Sequence, residues 1–398
     1  MSEEMKNLNE QPEETVVEHV EPKAEAPKLT FNLDKKTLAI IGGAAAAVIA
    51  IVAIVIAILL GGGTTPPPAE PVLNDYTLGM GVAFGEFKVG EFNATVATVV
   101  LDKDGKIVAC RIDAVQNKFA ADFENETFNF TRLETKMELG TNYGMSTNPW
   151  SADNNGDGII KEWDEQAKAF EKHVIGMTAA QVEAMVTKTL ENGYVISDDN
   201  VLLSAGCTIQ ITEFKAAVVK ACNDEFKVSF KSEGNFTLGL AATSKDNGSV
   251  VTFDDATIKM NVDFAASVVE GGKIVASLND AAQPQIAYDY EGTVSEKSVG
   301  KGADILKTKR EIKEDYAMGG KPWSPDNDGD GRVLEWYLQS AEFSKYVVGK
   351  TGAQVADLET EVKNDHNIST DSTLISAGCT IDISGLKTIV AKSVTNAR

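Results

Sequence analysis

The sequence predicts an α+β fold in which two tandem copies of one domain, each a β-hairpin or sheet with packed helices, follow a single transmembrane helix. Three observations lead to this prediction. A long apolar run stands near the N-terminus, the same ordered motifs occur twice in the rest of the chain, and the hydrophobic pattern of each copy changes from alternation to helical spacing. With 398 residues, 43% of them hydrophobic, the chain is long enough for two domains.

The apolar run extends from Leu38 to Leu60 without a charged or polar side chain. At ~1.5 Å per residue it spans ~34 Å, which matches a hydrocarbon core and exceeds the apolar region of a cleaved signal peptide. Lys35 and Lys36 precede it, and no basic residue follows closely, so the positive-inside rule predicts a cytoplasmic N-terminus. The sequence therefore predicts a disordered cytoplasmic tail (1–36), a plasma-membrane anchor (37–60), a Gly/Pro linker (61–73) and extracellular domains.

The duplication is visible in four pairs of motifs that keep their order. YTLGMG corresponds to FTLGLA, DGKIVAC to GGKIVAS, TKMELGTNYGM to TKREIKEDYAM, and LLSAGCTIQI to LISAGCTIDI, with offsets between 160 and 173 positions. Two copies of this length are too few and too large for a solenoid. The predicted domains are repeat one (74–224), a linker (225–233) and repeat two (234–395).

Each repeat begins with a hairpin pattern. In repeat one, residues 92–101 alternate between apolar and small or polar side chains, Asp104-Gly105 supplies a turn, and residues 106–112 alternate again. Apolar residues then recur at helical spacing from Trp163 to Val174.

The second half of each repeat is predicted to contain two further helices. Thr178-x-x-Gln181 and Thr351-x-x-Gln354 have the form of capping boxes that open a helix. Short strands are predicted at 208–211 and 380–383, each followed by a last helix with Thr212 or Ser384 as its cap.

Composition excludes several classes of function. The net charge of −22 leaves no basic stripe for phosphates, so nucleic acid is not expected as a partner. The three histidines are scattered without ligand spacing, which argues against a zinc site.

The stretches DNNGDGIIKEWDEQ and DNDGDGRVLEWYLQ place oxygen-bearing side chains at alternate positions, with glycine where the backbone must turn. This spacing suits a hard cation, and it resembles an EF-hand calcium loop, more closely the dockerin variety that lacks the entering helix. Position 12 is Asp164 in the first loop but Tyr337 in the second. Glu335, which corresponds to Glu162 of the first loop, or a water would therefore close the second loop. The alternative is a metal-free surface turn. The predicted calcium ligands are Asp153, Asn155, Asp157, Ile159, Glu162, Asp164, Asp326, Asp328, Asp330, Arg332 and Glu335.

The repeated SAGCT motif has two interpretations. Its cysteine is a nucleophile, or it is a small hydrophobic residue in a tight buried turn; the second is favoured because no histidine occupies a matching place in both copies. Cys110 and Cys222 are both replaced in repeat two, which is consistent with a disulfide between a strand and the last helix.

The order of the DGKIVAC hairpin, the helices and a small-residue turn ending in threonine resembles the extracytoplasmic FMN-binding domains, which occur in tandem on membrane-anchored proteins of Gram-positive and wall-less bacteria. In that family a Ser/Thr-Gly-Ala-Thr turn carries flavin mononucleotide on its threonine. The resemblance implies that Thr208 and Thr380 are flavin acceptors. The departure is that SAGCT has an extra residue, and cysteine replaces alanine.

Three functional hypotheses follow. The first is a membrane-anchored surface binding or structural module with two calcium-clipped repeats and an unknown extracellular ligand or protein as its partner. The second is a covalently flavinylated electron carrier at the cell surface. The third, a hydrolase, lacks a Gly-x-Ser-x-Gly motif, a repeated histidine and paired catalytic carboxylates outside the predicted metal loops.

Overall fold

Repeat one builds most of a five-stranded antiparallel sheet with the order β4-β3-β2-β1-β7. This computed structural model describes residues 72–398 except 86–87, 148–152, 300–305, 321–325 and 328. The strands of this first sheet are β1 (Asn74–Phe84), β2 (Glu91–Leu101), β3 (Ile107–Asp122), β4 (Thr127–Arg132) and β7 (Val228–Ser232). Strand β7 comes from the join between the repeats and pairs with β1, so the join extends the first sheet.

Repeat two builds a second antiparallel sheet around one long strand. Strand β10 pairs with β8 and β11 along its C-terminal part and with β9 and β12 along its N-terminal part, and β12 pairs with β13. The bounds are β8 (Thr237–Asp246), β9 (Val250–Val251), β10 (Asp255–Glu270), β11 (Lys273–Ala282), β12 (Pro284–Asp289) and β13 (Val294–Val299). Two small hairpins complete the strands: β5 (Thr187–Thr189) with β6 (Val195–Ser197), and β14 (Thr360–Lys363) with β15 (His366–Ser369).

The helices of each repeat follow the same order along the chain. In repeat one they are α1 (Lys136–Leu139), α2 (Trp163–His173), α3 (Ala179–Glu183), α4 (Asn200–Ser204) and α5 (Thr212–Asn223). In repeat two they are α6 (Lys309–Ile312), α7 (Trp336–Tyr346), α8 (Gly352–Ala356), α9 (Ser372–Ser376) and α10 (Ser384–Thr395). Short 3-10 turns follow α1 and α6.

The alternation of each strand sends side chains to two different cores. In β2, Val96 and Val100 belong to a central core with side chains of both sheets, among them Phe264 of β10. Ala97 and Val99 lie on the other face and pack with helices of repeat one. Repeat two forms a matching outer core with its own helices. The layers are therefore helices, first sheet, second sheet and helices, and burying each large apolar side chain stabilises the fold by roughly 1.5–3 kcal/mol.

The last helix of each repeat also contacts the other repeat. Lys220 of α5 pairs with Glu311 at 2.8 Å, and Lys392 of α10 pairs with Glu138 at 2.5 Å. The same two elements thus exchange ion pairs in both directions, as in a two-fold interface between identical subunits. The two repeats form one compact unit over residues 71–398.

The predicted fold class is wrong as stated. Strands make up 36% and helices 29% of the described residues, the strands form several sheets, and no helix in this part of the chain is long and apolar enough to cross a bilayer. The sequence pattern missed β1 because its glycines interrupt the alternation, and it missed the long-range pairing of β1 with β7. The predicted tail and transmembrane helix, and the linker up to residue 71, lie outside the described residues.

Several local predictions have clear outcomes. The capping boxes at Thr178 and Thr351 are confirmed. The predicted N-caps Thr212 and Ser384 are wrong. In each helix the preceding isoleucine is the N-cap residue, and no side chain caps the helix. The predicted strands at 208–211 and 380–383 are also wrong, because neither segment lies in a β-ladder. Cys110 and Cys222 are buried free thiols, so the structure contains no disulfide between them.

Candidate functional site

The first predicted metal loop is held by hydrogen bonds within itself. The Asp153 carboxylate accepts the backbone amides of Gly156 and Gly158, both at 2.8 Å, and the Gly158 bond contributes most to lowering the pKa of Asp153. Asp157 accepts the backbone amide of Ile159, whose side chain is exposed. The Oδ1 atom of Asn155 is buried and has no hydrogen-bond partner among the described residues.

The glutamate shared by the two loops does not face the loop. Both carboxylate oxygens of Glu162 accept backbone amides of the preceding 3-10 turn, from Met145 at 2.8 Å and Ser146 at 3.2 Å. Glu335 does the same in repeat two, where it accepts the amide of Met318 at 3.0 Å. Asp164 instead pairs with Lys168 at 2.6 Å. Glu162 and Glu335 therefore anchor the 3-10 turns that precede the loops.

The second loop repeats the arrangement of the first. Asp326 accepts the amides of Gly329 and Gly331 at 2.7 and 2.8 Å, and Asp330 pairs with Arg332 at 2.7 Å. Asp328 lies outside the described residues. Among the residues the structure describes, no group of three or more His, Cys, Asp or Glu side chains gathers as a metal site. Calcium at the two loops thus stays a prediction of the sequence pattern.

The cysteine and threonine of each SAGCT motif are buried, whereas its serine and alanine are exposed. Cys207 and Cys379 are fully buried, and burial raises the pKa of each thiol to about 12, which leaves no thiolate for catalysis. The backbone amide of Thr208 donates to Oε1 of Gln166 at 2.8 Å, and that of Thr380 donates to Gln339 at the same distance. Sequence reasoning did not assign this glutamine, although it stands three positions after the repeated Glu-Trp tryptophan in both copies.

Thr208 also lines a cleft of about 930 Å³ in repeat one. The cleft lies between the helix-facing side of β2 and β3, the start of α2, the β5–β6 turn and the start of α5. Its aromatic lining is Tyr143, Trp163, Tyr194 and Phe214, and its charged lining is Lys88, Glu91, Lys118, Arg132, Lys136 and Glu213. Among the described residues that line the cleft, basic side chains outnumber acidic ones by four to two, in a chain whose net charge is −22.

Lys136 is the central cation of the cleft. Its ammonium lies 5.0 Å from the ring centroid of Tyr143 and 5.5 Å from that of Trp163, a distance suited to cation–π attraction. Burial lowers the pKa of Lys136 to about 8, and the nearby charges of Glu91 and Glu213 only partly oppose this. No carboxylate of the described residues lies within ion-pair distance of it.

A buried carboxylate positions the helix that carries Lys136. Asp113 accepts the backbone amides of Ala114 at 2.7 Å and of Met137 at 3.1 Å, and so holds the first turn of α1 against β3. Burial raises the pKa of Asp113 to about 6, and these hydrogen bonds to its charged form limit the rise. Asp280 plays the same part in repeat two, where it accepts the amide of Arg310 at 3.2 Å and has a pKa raised by burial to about 6.

Repeat two keeps the aromatic surroundings of this lysine but adds a counter-charge. Lys309 lies 4.8 and 5.0 Å from the ring centroids of Tyr316 and Trp336. Asp263 acts on it electrostatically without a direct ion pair: burial raises the pKa of Asp263, and the charge of Lys309 opposes that rise. Repeat one has Thr95 at the equivalent strand position, since Thr95 pairs with Ala114 across its hairpin and Asp263 pairs with Ala281 across the other.

In the sequence, the repeated Thr-Lys pair indicates only the duplication. The signal that marks Lys136 and Lys309 is the combination of that pair with a tyrosine and a tryptophan at matching positions in both copies. The cleft itself could not be read from the sequence, because its walls come from segments far apart in the chain.

Comparison with models of known protein families, with curated proteins and with solved structures finds no match to this chain.

Proposed function

We propose that repeat one is a binding module for a small organic anion, which occupies the cleft around Lys136, and that repeat two is its structural companion. This specifies the binding-module hypothesis drawn from the sequence. The extracellular location and the membrane as a partner stay predictions.

The size and lining of the cleft support a small-molecule ligand. A volume of about 930 Å³ lies within the range of ligand sites, and the mixture of aromatic faces with a few polar groups is typical of them. Tyr143 and Trp163 offer surfaces for a planar group. Arg132 brings a guanidinium that can bind a carboxylate or phosphate with two parallel hydrogen bonds.

The observation that carries the proposal is the difference between Lys136 and Lys309. An ammonium that is largely withdrawn from water without a carboxylate partner is costly, and an anion offsets that cost by direct attraction. Repeat two supplies the negative charge from Asp263, whereas Thr95 leaves this position neutral in repeat one. A ligand anion would supply the missing charge.

The proposal predicts that the full-length chain binds phenyl phosphate or benzoate and does not bind neutral benzyl alcohol. Thr95→Asp places a carboxylate where repeat two has Asp263 and should weaken anion binding at least about tenfold, or 1.4 kcal/mol. Isothermal titration calorimetry measures the affinities, and thermal unfolding checks that each variant is folded.

Thr95→Asn is the matched control, because it introduces a polar side chain of the same size as aspartate without its charge. It should retain most of the affinity. Binding should also weaken as pH rises through about 8, since the anion prefers the protonated Lys136 and binding takes up a proton above that pH. Absence of anion binding at millimolar concentrations, or equal losses in both Thr95 variants, would contradict the proposal.

A covalent flavin is the second candidate, and the position of Thr208 favours it. Thr208 lines the cleft, and flavin mononucleotide combines a phosphate with a planar ring system, which suits the same lining. Against it, the Thr208 side chain is only 5% exposed and its Oγ1 lies 3.4 Å from Oε1 of Gln166. Intact-mass measurement of protein from its native host decides the matter. A flavin-sized addition that is lost in Thr208→Ala, or in Thr380→Ala for the second repeat, supports the carrier.

A further inference from the structure

Lys136 combines three properties that rarely occur together in one lysine. Its side chain lines a cleft large enough for an organic molecule, its ammonium contacts aromatic rings, and no carboxylate of the described part of the chain forms an ion pair with it. Most lysines either extend into water or pair with a carboxylate.

We propose that Lys136 is a carbonyl-reactive amine, which condenses with an anionic aldehyde or ketone bound in the cleft to form a protonated imine. The proposal rests on the anion-binding function, and it names the ligand class as an organic anion that carries a carbonyl group. The lysine nitrogen forms a double bond to the carbonyl carbon, and the carbonyl oxygen leaves as one molecule of water. The step involves no oxidation or reduction.

The surroundings of Lys136 favour each stage of this condensation. The neutral amine is the nucleophile, and burial increases the fraction of Lys136 that is neutral near pH 7. At that pH the neutral fraction of a lysine with a pKa of about 8 is roughly 300-fold larger than that of a lysine with a pKa of 10.5. The protonated imine that follows is again a cation. The faces of Tyr143 and Trp163, which now attract the ammonium, can attract the imine in its place.

The charged groups that act on Lys136 are Glu91, Glu213, Arg132 and Asp113. Glu91 and Glu213 favour its protonated form and Arg132 opposes it, while burial outweighs all of them. The two glutamates also line the cleft, so proton acceptors stand close to the reacting nitrogen. The cleft thus contains the nucleophile, acid–base groups and a site for the anion.

Lys309 provides an internal comparison within the same molecule. It has the same pair of aromatic rings, but Asp263 stands where repeat one has Thr95, and Lys309 does not line the cleft of repeat one. The proposal therefore requires reaction at Lys136 and little reaction at Lys309.

The test is reductive trapping with pyridoxal 5′-phosphate, an aldehyde that carries a phosphate. The full-length chain is incubated with this probe near pH 7, reduced with borohydride and analysed by intact mass and peptide mapping. Labelling at Lys136, whose pKa is lowered by burial, should exceed that at surface lysines and at Lys309, which lies outside this cleft, at least about tenfold. Phenyl phosphate should protect Lys136, and pyridoxal, which lacks the phosphate, should label it less.

Lys136→Arg is the informative variant, because it retains the cation and its contact with the rings but cannot form the imine. It should lose the adduct, and thermal unfolding checks that the variant is folded. Label spread evenly over surface lysines, or unchanged in Lys136→Arg, would overturn the inference. If phenyl phosphate binds and no imine is trapped, the anion-binding function stands and the carbonyl chemistry fails; if phenyl phosphate also fails to bind, both fail.

Discussion

Replacing Arg310 with alanine should lower the free energy of unfolding by about 3–5 kcal/mol, the range for breaking a buried ion pair. Arg310 Nη2 lies 2.7 and 2.8 Å from the two carboxylate oxygens of Asp224, and both side chains are about 95% buried. Arg310 belongs to repeat two and Asp224 follows the last helix of repeat one, so the pair joins the repeats. Its loss would leave the buried carboxylate of Asp224 without its counter-charge, although the amides of Met80 and Phe226 still donate to it at 3.1 and 2.9 Å.

Lys313→Ala is the matched control for this prediction. Lys313 pairs with Glu225 at 2.8 Å across the same junction, but both side chains are exposed, so its loss should cost about 0–1 kcal/mol. Urea unfolding measured for both variants gives the comparison. Arg310→Met combined with Asp224→Asn should recover part of the stability, because it removes the unpaired charge. Equal small losses for Arg310→Ala and Lys313→Ala would show that the junction does not depend on the buried pair.

Gly79→Ala and Gly239→Ala should each destabilise the fold by about 3 kcal/mol, the upper part of the range for overpacking. The added methyl group of Gly79 would overlap the backbone carbonyl of Ala221 in α5, and that of Gly239 would overlap the carbonyl of Ser393 in α10. A backbone atom of a packed helix cannot turn away as a flexible side chain can. Each last helix would have to move off the strand beneath it, which opens the outer core of that repeat.

Gly319→Ala is the control for these two glycine variants. Its added methyl group would lie 3.6 Å from the nearest atom of the described residues, the carbonyl oxygen of Val333, at an ordinary backbone conformation. The change in its unfolding free energy should stay within about 0.5 kcal/mol, as for most surface substitutions. Thermal or urea unfolding of the three variants separates the cases. A stable Gly79→Ala protein with an unchanged midpoint would contradict the close approach of α5 to β1.

The sequence patterns that predicted structure correctly are those whose partners lie close along the chain. The capping boxes at Thr178 and Thr351 depend on residues three positions apart, and the Trp163 helix depends on one apolar stripe. The hairpin of β2 and β3 depends on a local turn between two alternating segments. Such patterns are complete within a few residues, so no distant segment is needed to interpret them.

The candidate site was only partly predictable for the same reason. The sequence singled out Thr208, and the structure places it in the wall of the cleft, but Lys136 and Thr95 were not assigned as site residues. Glu162 was assigned to the calcium loop from its spacing, whereas its partners are amides that lie 16 and 17 positions earlier. A carboxylate can accept hydrogen bonds on either side of a loop, and sequence spacing does not decide on which side its partners lie.

By itself the sequence determined the repeated motifs and the capping boxes at Thr178 and Thr351. Only the tertiary structure decided that the two repeats share a central core, that β7 joins the sheet of repeat one, and that Asp263 acts on Lys309 from the position that Thr95 occupies in repeat one. The physical reason is distance along the chain. Sheet order, burial and the pairing of charges are set by residues many positions apart, which meet only when the two sheets pack together.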